Sequence, residues 1–300
     1  MYVITGATGN TGHVIAEKLL AAGQPVRVIG RSKERLDALV QKGAEAFVGD
    51  VNDPEVMTRA FSGAKAVYAM IPPDHAAKSM RESQDRTSNS LAAALERSGV
   101  SHAVCLSSMG ADKPERVGPV NGLHYLEQKI NAIPKLNALI LRPVYFMENN
   151  FAQIKPIQSM GTMGGVLKPE LPLPQIASRD IGAFAADALL KLNFSGKSTR
   201  ELLGQRDVSM KDTAAVLGKA IGKPNLGYSQ FPAFAVEMAM KQMGLTADYV
   251  SLLIEMLESI NSGWMRPLET RSAENTTPTP IETFAAEEFA PRFKGQAAGA

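Results

Sequence analysis

One cysteine, Cys105, stands in 300 residues, which excludes an internal disulfide and all Cys-x-x-Cys chemistry in this chain. Histidine is nearly as scarce, and His13, His75, His102 and His124 show no metal-ligand spacing. An excess of one charge is also missing: 32 lysines and arginines against 30 acids leave +2. That balance provides no long-range field to gather nucleic acid or an anionic membrane. No apolar run approaches the roughly 18 residues of a membrane span. Met1 leads directly into Tyr-Val-Ile-Thr-Gly, which reads as structure, so no signal peptide is expected. Together these absences predict a cytoplasmic protein with no structural metal, no nucleic-acid partner and no membrane partner.

What remains is ordinary globular composition, 45% hydrophobic and 21% charged, long enough for one large domain or two small ones. Short apolar runs alternate with helical stretches through the first 150 residues, the pattern of a parallel sheet covered on both faces. Strands are expected at Tyr2–Thr5, Val26–Ile29, Ala46–Val48, Ala66–Ile71, Ala103–Ser107 and Leu139–Tyr145, with a helix over Thr11–Ala22 stopped by Gly23. The expectation is an α/β fold, a doubly wound parallel Rossmann sheet spanning residues 1–150.

Beyond Asn149 the texture changes. Four prolines and Gly161, Gly164 and Gly165 break up Ile154–Pro174, which is expected to hold no regular element and to serve as a substrate loop. A helix over Asp180–Leu192 is expected to pack back on the first domain. Residues 151–179 and 196–275 then form a smaller, mainly helical substrate-binding subdomain. Ser209-Met-Lys-Asp212 reads as a capping box for a helix ending at Gly222, and Phe231–Met243 and Thr246–Ile260 read as two more helices. The tail, 276–300, opens with Thr279 as a cap and Pro280 at the first helical position. It continues as a short docked helix carrying Ile281, Phe284 and Phe289, then frays from Gly295.

The strongest motif is Gly6-Ala-Thr-Gly9-Asn-Thr-Gly12, at the end of a strand and the start of a helix. Glycine allows the tight turn and the approach of backbone amides to a pyrophosphate. Gly6, Thr8, Gly9, Asn10, Thr11 and Gly12 are therefore cofactor-binding candidates. An NAD site places an acid about 20 residues further on, for the ribose 2′-hydroxyl. Here Gly30-Arg31-Ser32-Lys33 occupies that place, and Arg31 with Lys33 suits a 2′-phosphate. NADP(H) is thus favoured over NAD(H), the alternative being a solvated surface pair. Asp50 and Val51 are placed to touch the adenine, unless Asp50 is simply a turn residue.

These residues, with Val26–Arg31, Gly49-Asp50, Leu141-Arg-Pro143, Phe146-Met-Glu-Asn149 and Asp180-Ile-Gly182, resemble the NmrA-like proteins, atypical short-chain dehydrogenases/reductases. The resemblance covers nearly the whole chain, including Thr277–Pro280. It implies a dinucleotide-binding fold. The family it points to contains NAD(P)H-dependent quinone, azo-dye and triphenylmethane-dye reductases, plant ether reductases, and regulators that bind the dinucleotide without turnover.

Reductases of the wider superfamily use a tyrosine and a lysine one helical turn apart, with a serine nearby, to protonate and orient a carbonyl. Tyr125-Leu-Glu-Gln-Lys129 and Ser107 offer that set. On a helical wheel Tyr125 and Lys129 lie roughly 40° apart on the flank of a stripe of Leu123, Leu126, Ile130 and Ile133. Counted back from Leu141-Arg-Pro143, however, the resemblance places the family's lysine or histidine at His124. Tyr125 and His124 therefore stand as rival acids. Direct hydride transfer to a quinone needs less from the protein, mainly stacking and orientation. Met70, Ile71, Ser107 and Tyr145 are further cofactor contacts, and Pro72, Met109, Phe146 and Asn149 are candidate substrate contacts. Cys105 reads as a buried structural thiol.

The function expected is an NADPH-dependent oxidoreductase passing hydride to a quinone, azo dye or similar conjugated small molecule. The alternative is a catalytically inactive NAD(P)-sensing regulator with a protein partner. A homodimer is compatible with either.

Overall fold

The computed structural model describes residues 1–295; the expected fraying therefore falls almost wholly outside the described residues. Six strands and five helices alternate first: β1 (Tyr2–Ile4), α1 (Asn10–Ala21), β2 (Val26–Gly30), α2 (Asp37–Val40), β3 (Glu45–Val48), α3 (Pro54–Phe61), β4 (Ala66–Ala69), α4 (Met80–Arg97), β5 (His102–Leu106), α5 (Val120–Asn131) and β6 (Asn137–Pro143). There follow β7 (Tyr145–Phe146), a 3₁₀ turn over Met147–Gln153, α6 (Ile154–Met160), β8 (Met163–Gly165), β9 (Gln175–Ile176), α7 (Ser178–Lys191) and β10 (Lys197–Leu202). The last elements are α8 (Met210–Ala220), β11 (Tyr228–Gln230), α9 (Ala233–Gln242), α10 (Ala247–Asn261), α11 (Ile281–Phe284) and α12 (Ala290–Phe293).

The main sheet has seven strands in the order β10-β6-β5-β4-β1-β2-β3, a Rossmann-like α/β arrangement. β1 pairs in parallel with β2, Tyr2 opposite Val26, and with β4, Tyr2 opposite Ala66. Strand order reverses at the β4–β1 junction, so the chain leaves these two strands in opposite directions and opens a crevice at their C-terminal ends. Every residue of β1 and β4 is buried, as strands covered on both faces must be. Phe61, Leu91, Leu95, Ile130 and Ile140 pack with them in one core. Strand four stops at Ala69, two residues short of expectation, with Pro72 and Pro73 following close behind.

The chain divides into two compact units. The first holds Met1–Glu115, Pro119–Arg142 and Arg179–Arg200. The second holds Arg116–Gly118, Pro143–Ser178 and the chain from Glu201 onward.

In the second unit the capping box forms as expected, Ser209 Oγ accepting the Asp212 amide at 3.1 Å. Two short parallel pairs, β8 with β11 and β7 with β9, hold its loops. The proline-broken stretch contains structure after all, α6 and β8. Pro156 is the third residue of α6, where the missing N–H had no intrahelical acceptor to lose. In the tail, helix α11 starts one residue later than the Thr-Pro signal indicates, and Pro280 rather than Thr279 flanks it. Glu282 pairs with Arg206 instead of turning back to cap. Ile281, Phe284 and Phe289 are buried, and the Phe151 ring lies 5.4 Å from Phe284 and 6.2 Å from Phe289. Among the described residues no helix is long and apolar enough to cross a membrane, and no three His, Cys, Asp or Glu gather to hold a metal.

Candidate functional site

The glycine turn follows β1 directly. Gly6 has a φ of +61°, and a Cβ on it would collide with the Met70 sulfur. A Cβ on Gly12 would collide with the Gly6 carbonyl, so this glycine lets α1 close down on the turn. The Gly9 amide donates to Gly6 O at 2.9 Å. Gly9 also forms the N-cap of α1, with no side-chain cap and no acid in the first turn. The opening amides and the positive end of the helix dipole are left for an external anion, and the turn fits a pyrophosphate. Thr8, Gly9 and Asn10 are exposed at the lip. Thr11 faces inward, its hydroxyl 2.9 Å from the Tyr68 hydroxyl, so its side chain serves the core.

At the end of β2, Arg31, Lys33 and Arg35 are all exposed. Glu34, the only acid among them, is hydrogen-bonded by Ser32, and that bond is the main reason its carboxyl lies below the ordinary range. Among the described residues no carboxylate forms an ion pair with Arg31. After β3, Asp50 accepts the Asn52 amide at 3.0 Å in a turn, and Val51 packs on the core. Met70 and Ile71 lie half-buried at the end of β4, with the Met70 amide held by Thr5 Oγ1 at 3.0 Å. Pro72 follows, also half-buried.

The end of β5 carries a group that sequence reading did not assemble. Ser107 donates its hydroxyl proton to Glu127 Oε1 at 2.5 Å, and Arg142 donates to both oxygens of the same carboxylate. Glu127 is only 4% exposed. A Ser107 hydroxyl bound this way presents lone pairs rather than a proton, unlike the carbonyl-orienting donor expected of it. The signal was present: Glu127 lies four residues after Leu123 and three before Ile130, in the middle of the apolar stripe. A carboxylate there requires a cationic partner.

One turn earlier, His124 Nδ1 lies 2.8 Å from the Ala111 carbonyl. A carbonyl only accepts, so Nδ1 carries hydrogen and Nε2 is the nitrogen free to exchange a proton. Tyr125 is 39% exposed, its ring beneath the Arg81 guanidinium at 3.7 Å. Tyr125 and Lys129 both lie on α5 and share no hydrogen bond. Met109 is buried, as is Cys105, whose thiol is pushed up to about 12 by burial.

In the second unit Tyr145 and Phe146 are half-buried and Asn149 is exposed. Burial pushes the Tyr145 phenol up to about 12, with the neighbouring Asn149 side chain opposing the rise.

Comparison with known proteins supports the fold. The chain is 24% identical over 294 residues to the NAD(P)H azoreductase of Xenophilus azovorans, covering 97% of this chain and 96% of that one. It is 27% identical over 224 residues to a (4-alkanoyl-5-oxo-2,5-dihydrofuran-3-yl)methyl phosphate reductase of Streptomyces griseus, 75% of each chain. Among solved structures, the NADPH complex of an Escherichia coli NADPH-dependent quinone oxidoreductase superposes with a TM-score of 0.76 at 20% identity. That match covers 96% of this chain and all of the other. The model of the NmrA-like family matches residues 2–290, and the chain belongs to that family.

Proposed function

We infer that the chain is an NAD(P)H-dependent oxidoreductase, and we propose that it uses NADPH to reduce a quinone, azo dye or similar conjugated aromatic molecule. The observation that carries the cofactor choice is the end of β2, where Arg31 stands exposed in the place of an NAD-type acid. The reductase class is supported by the named relatives.

The Gly6–Gly12 turn and the first amides of α1 would hold the pyrophosphate, Arg31 and Lys33 the 2′-phosphate, and Val51 the adenine face. Met70 and Ile71 would line the crevice beyond β4. The reduced cofactor, when bound, supplies the hydride. Where the acceptor needs a proton, His124 Nε2 is the candidate donor, because Ala111 fixes the other ring nitrogen. Tyr125 is the weaker candidate, lying under Arg81 without a bond to Lys129. That same lack of a tyrosine–lysine pair favours the second reading, a dinucleotide-sensing regulator with a protein partner.

The deciding experiment is steady-state NADPH oxidation across a small panel of quinones and azo dyes. Turnover with at least one acceptor, and a preference for NADPH over NADH, is expected. His124→Ala should lower the turnover rate with acceptors that need a proton, and Tyr125→Phe should leave it close to wild type. Micromolar NADPH binding with no turnover on any acceptor would establish the regulator instead.

A further inference from the structure

Helices α4 and α5 approach closely where α5 begins. A Cβ on Gly122 would collide with the Gln84 side chain, whose Nε2 donates to the Pro119 carbonyl at 2.8 Å. Residues three apart on a helix share a face. Arg81, three before Gln84, and Tyr125, three after Gly122, are brought together by the same approach. The Arg81 guanidinium stands 3.7 Å from the centre of the Tyr125 ring, and its Nε donates to Asp85 at 2.9 Å. The ring is thus covered by a cation that is itself anchored one turn along α4.

Tyr125 in turn meets His124. The two ring centres are 5.3 Å apart and the planes are nearly perpendicular, at 87°. That is a favoured arrangement for aromatic pairs. The other constraint on His124 is the Ala111 carbonyl, 2.8 Å from Nδ1. One hydrogen bond selects which ring nitrogen carries hydrogen, yet the imidazole can still pivot, because the last torsion of histidine is broad. A perpendicular ring packed against the imidazole limits that pivot. Asp85, Arg81, Tyr125, His124 and Ala111 therefore form one line of contacts, from α4 across α5 to the segment after β5.

We propose that Tyr125 is a positioning residue which, held by Arg81, fixes the plane of the His124 imidazole and so the direction of Nε2. The aromatic ring does this; the phenol hydroxyl has no part in it. A donor of fixed direction suits proton delivery, which works only at hydrogen-bond reach and good alignment. That use rests on the reductase reading given above, whereas the fixed imidazole does not.

The test is nitrogen NMR of the full chain labelled with ¹⁵N-histidine, at about pH 8.5, where an ordinary imidazole is neutral. The His124 signal is assigned by its loss in His124→Gln. Wild-type His124 should carry hydrogen on Nδ1 alone. Tyr125→Leu and Arg81→Met should each loosen the imidazole from Ala111 and spread the hydrogen over both nitrogens. Tyr125→Phe restores the ring and should restore the wild-type spectrum. In turnover, Tyr125→Leu should lower kcat about three- to tenfold with KM little changed, the scale of one aromatic pair. A wild-type His124 with hydrogen on Nε2, or a His124 signal unchanged in both Tyr125→Leu and Arg81→Met, overturns the positioning role. So does a shift of all four histidine signals in both variants, which would mark a general loss of structure. The expected spectra, without NADPH oxidation by wild type on any acceptor, uphold the positioning and remove the reductase reading. Turnover that falls with His124→Ala, beside unaltered spectra in Tyr125→Leu and Arg81→Met, does the reverse.

Discussion

Arg142 grips Glu127 with both arms of its guanidinium, Nε to Oε1 at 2.9 Å and Nη2 to Oε2 at 2.5 Å. The pair ties the middle of α5 to the end of β6, and through Ser107 to the end of β5. Helix α5 and the ends of β5 and β6 are thereby tied together by one carboxylate.

Glu127→Ala strips Arg142 of this carboxylate in a setting with little water. A loss of about 3–5 kcal/mol is expected, the usual cost of breaking a buried pair from one side. Glu127→Gln keeps an acceptor for Ser107 and should lose less. Urea unfolding of both variants measures this, and an alanine variant within about 1 kcal/mol of wild type would contradict it.

Arg31→Ala should weaken NADPH by roughly tenfold or more, as expected for a lost charge-assisted contact. NADH affinity should hardly change, since that cofactor has no 2′-phosphate. Calorimetry with both dinucleotides decides, and equal losses would sink the phosphate reading.

Gly9→Val probes the turn itself. The first added carbon stands 3.3 Å from Gly6 O, a tight but tolerable contact, so the fold should survive. The branched methyls beyond it should obstruct the approach of the pyrophosphate to the amides. The variant should melt close to wild type yet show no upward shift on adding NADPH. A wild-type shift would mean the anion binds elsewhere.

The sheet was legible because β1, β2, β4 and β5 are short apolar runs separated by helices, and parallel strands leave that mark. The glycine turn was legible because its chemistry is local. Glu127 was passed over because its partners, Ser107 and Arg142, come from two strands distant in sequence. Helix α6 was missed because proline was read as a breaker without regard to its place in the first turn.

Cys105 should leave a signature at alkaline pH. Its folded pKa is about 12, above the roughly 8.5 of an unfolded thiol. The stability it contributes is complete below the unfolded value and is lost as pH rises toward the folded one. Urea midpoints of wild type should therefore fall more steeply between about pH 9 and 12 than those of Cys105→Ala. The variant should keep a residual slope, because burial also raises Tyr68. Parallel slopes would show that the thiol is not sealed.

The place of β1 in the sheet bears on how the chain acquires its shape during translation. This three-residue strand is flanked by β2 and β4, and the second flank is complete only when Ala69 has been made. At about 5–20 residues per second the ribosome takes roughly 3–13 s to get there. Throughout that interval Tyr2, Val3 and Ile4 have at most one neighbour and present an open apolar edge. Nascent chains halted before Ala69 should therefore be held by chaperones, and those halted beyond Leu106, with β5 added, should be released.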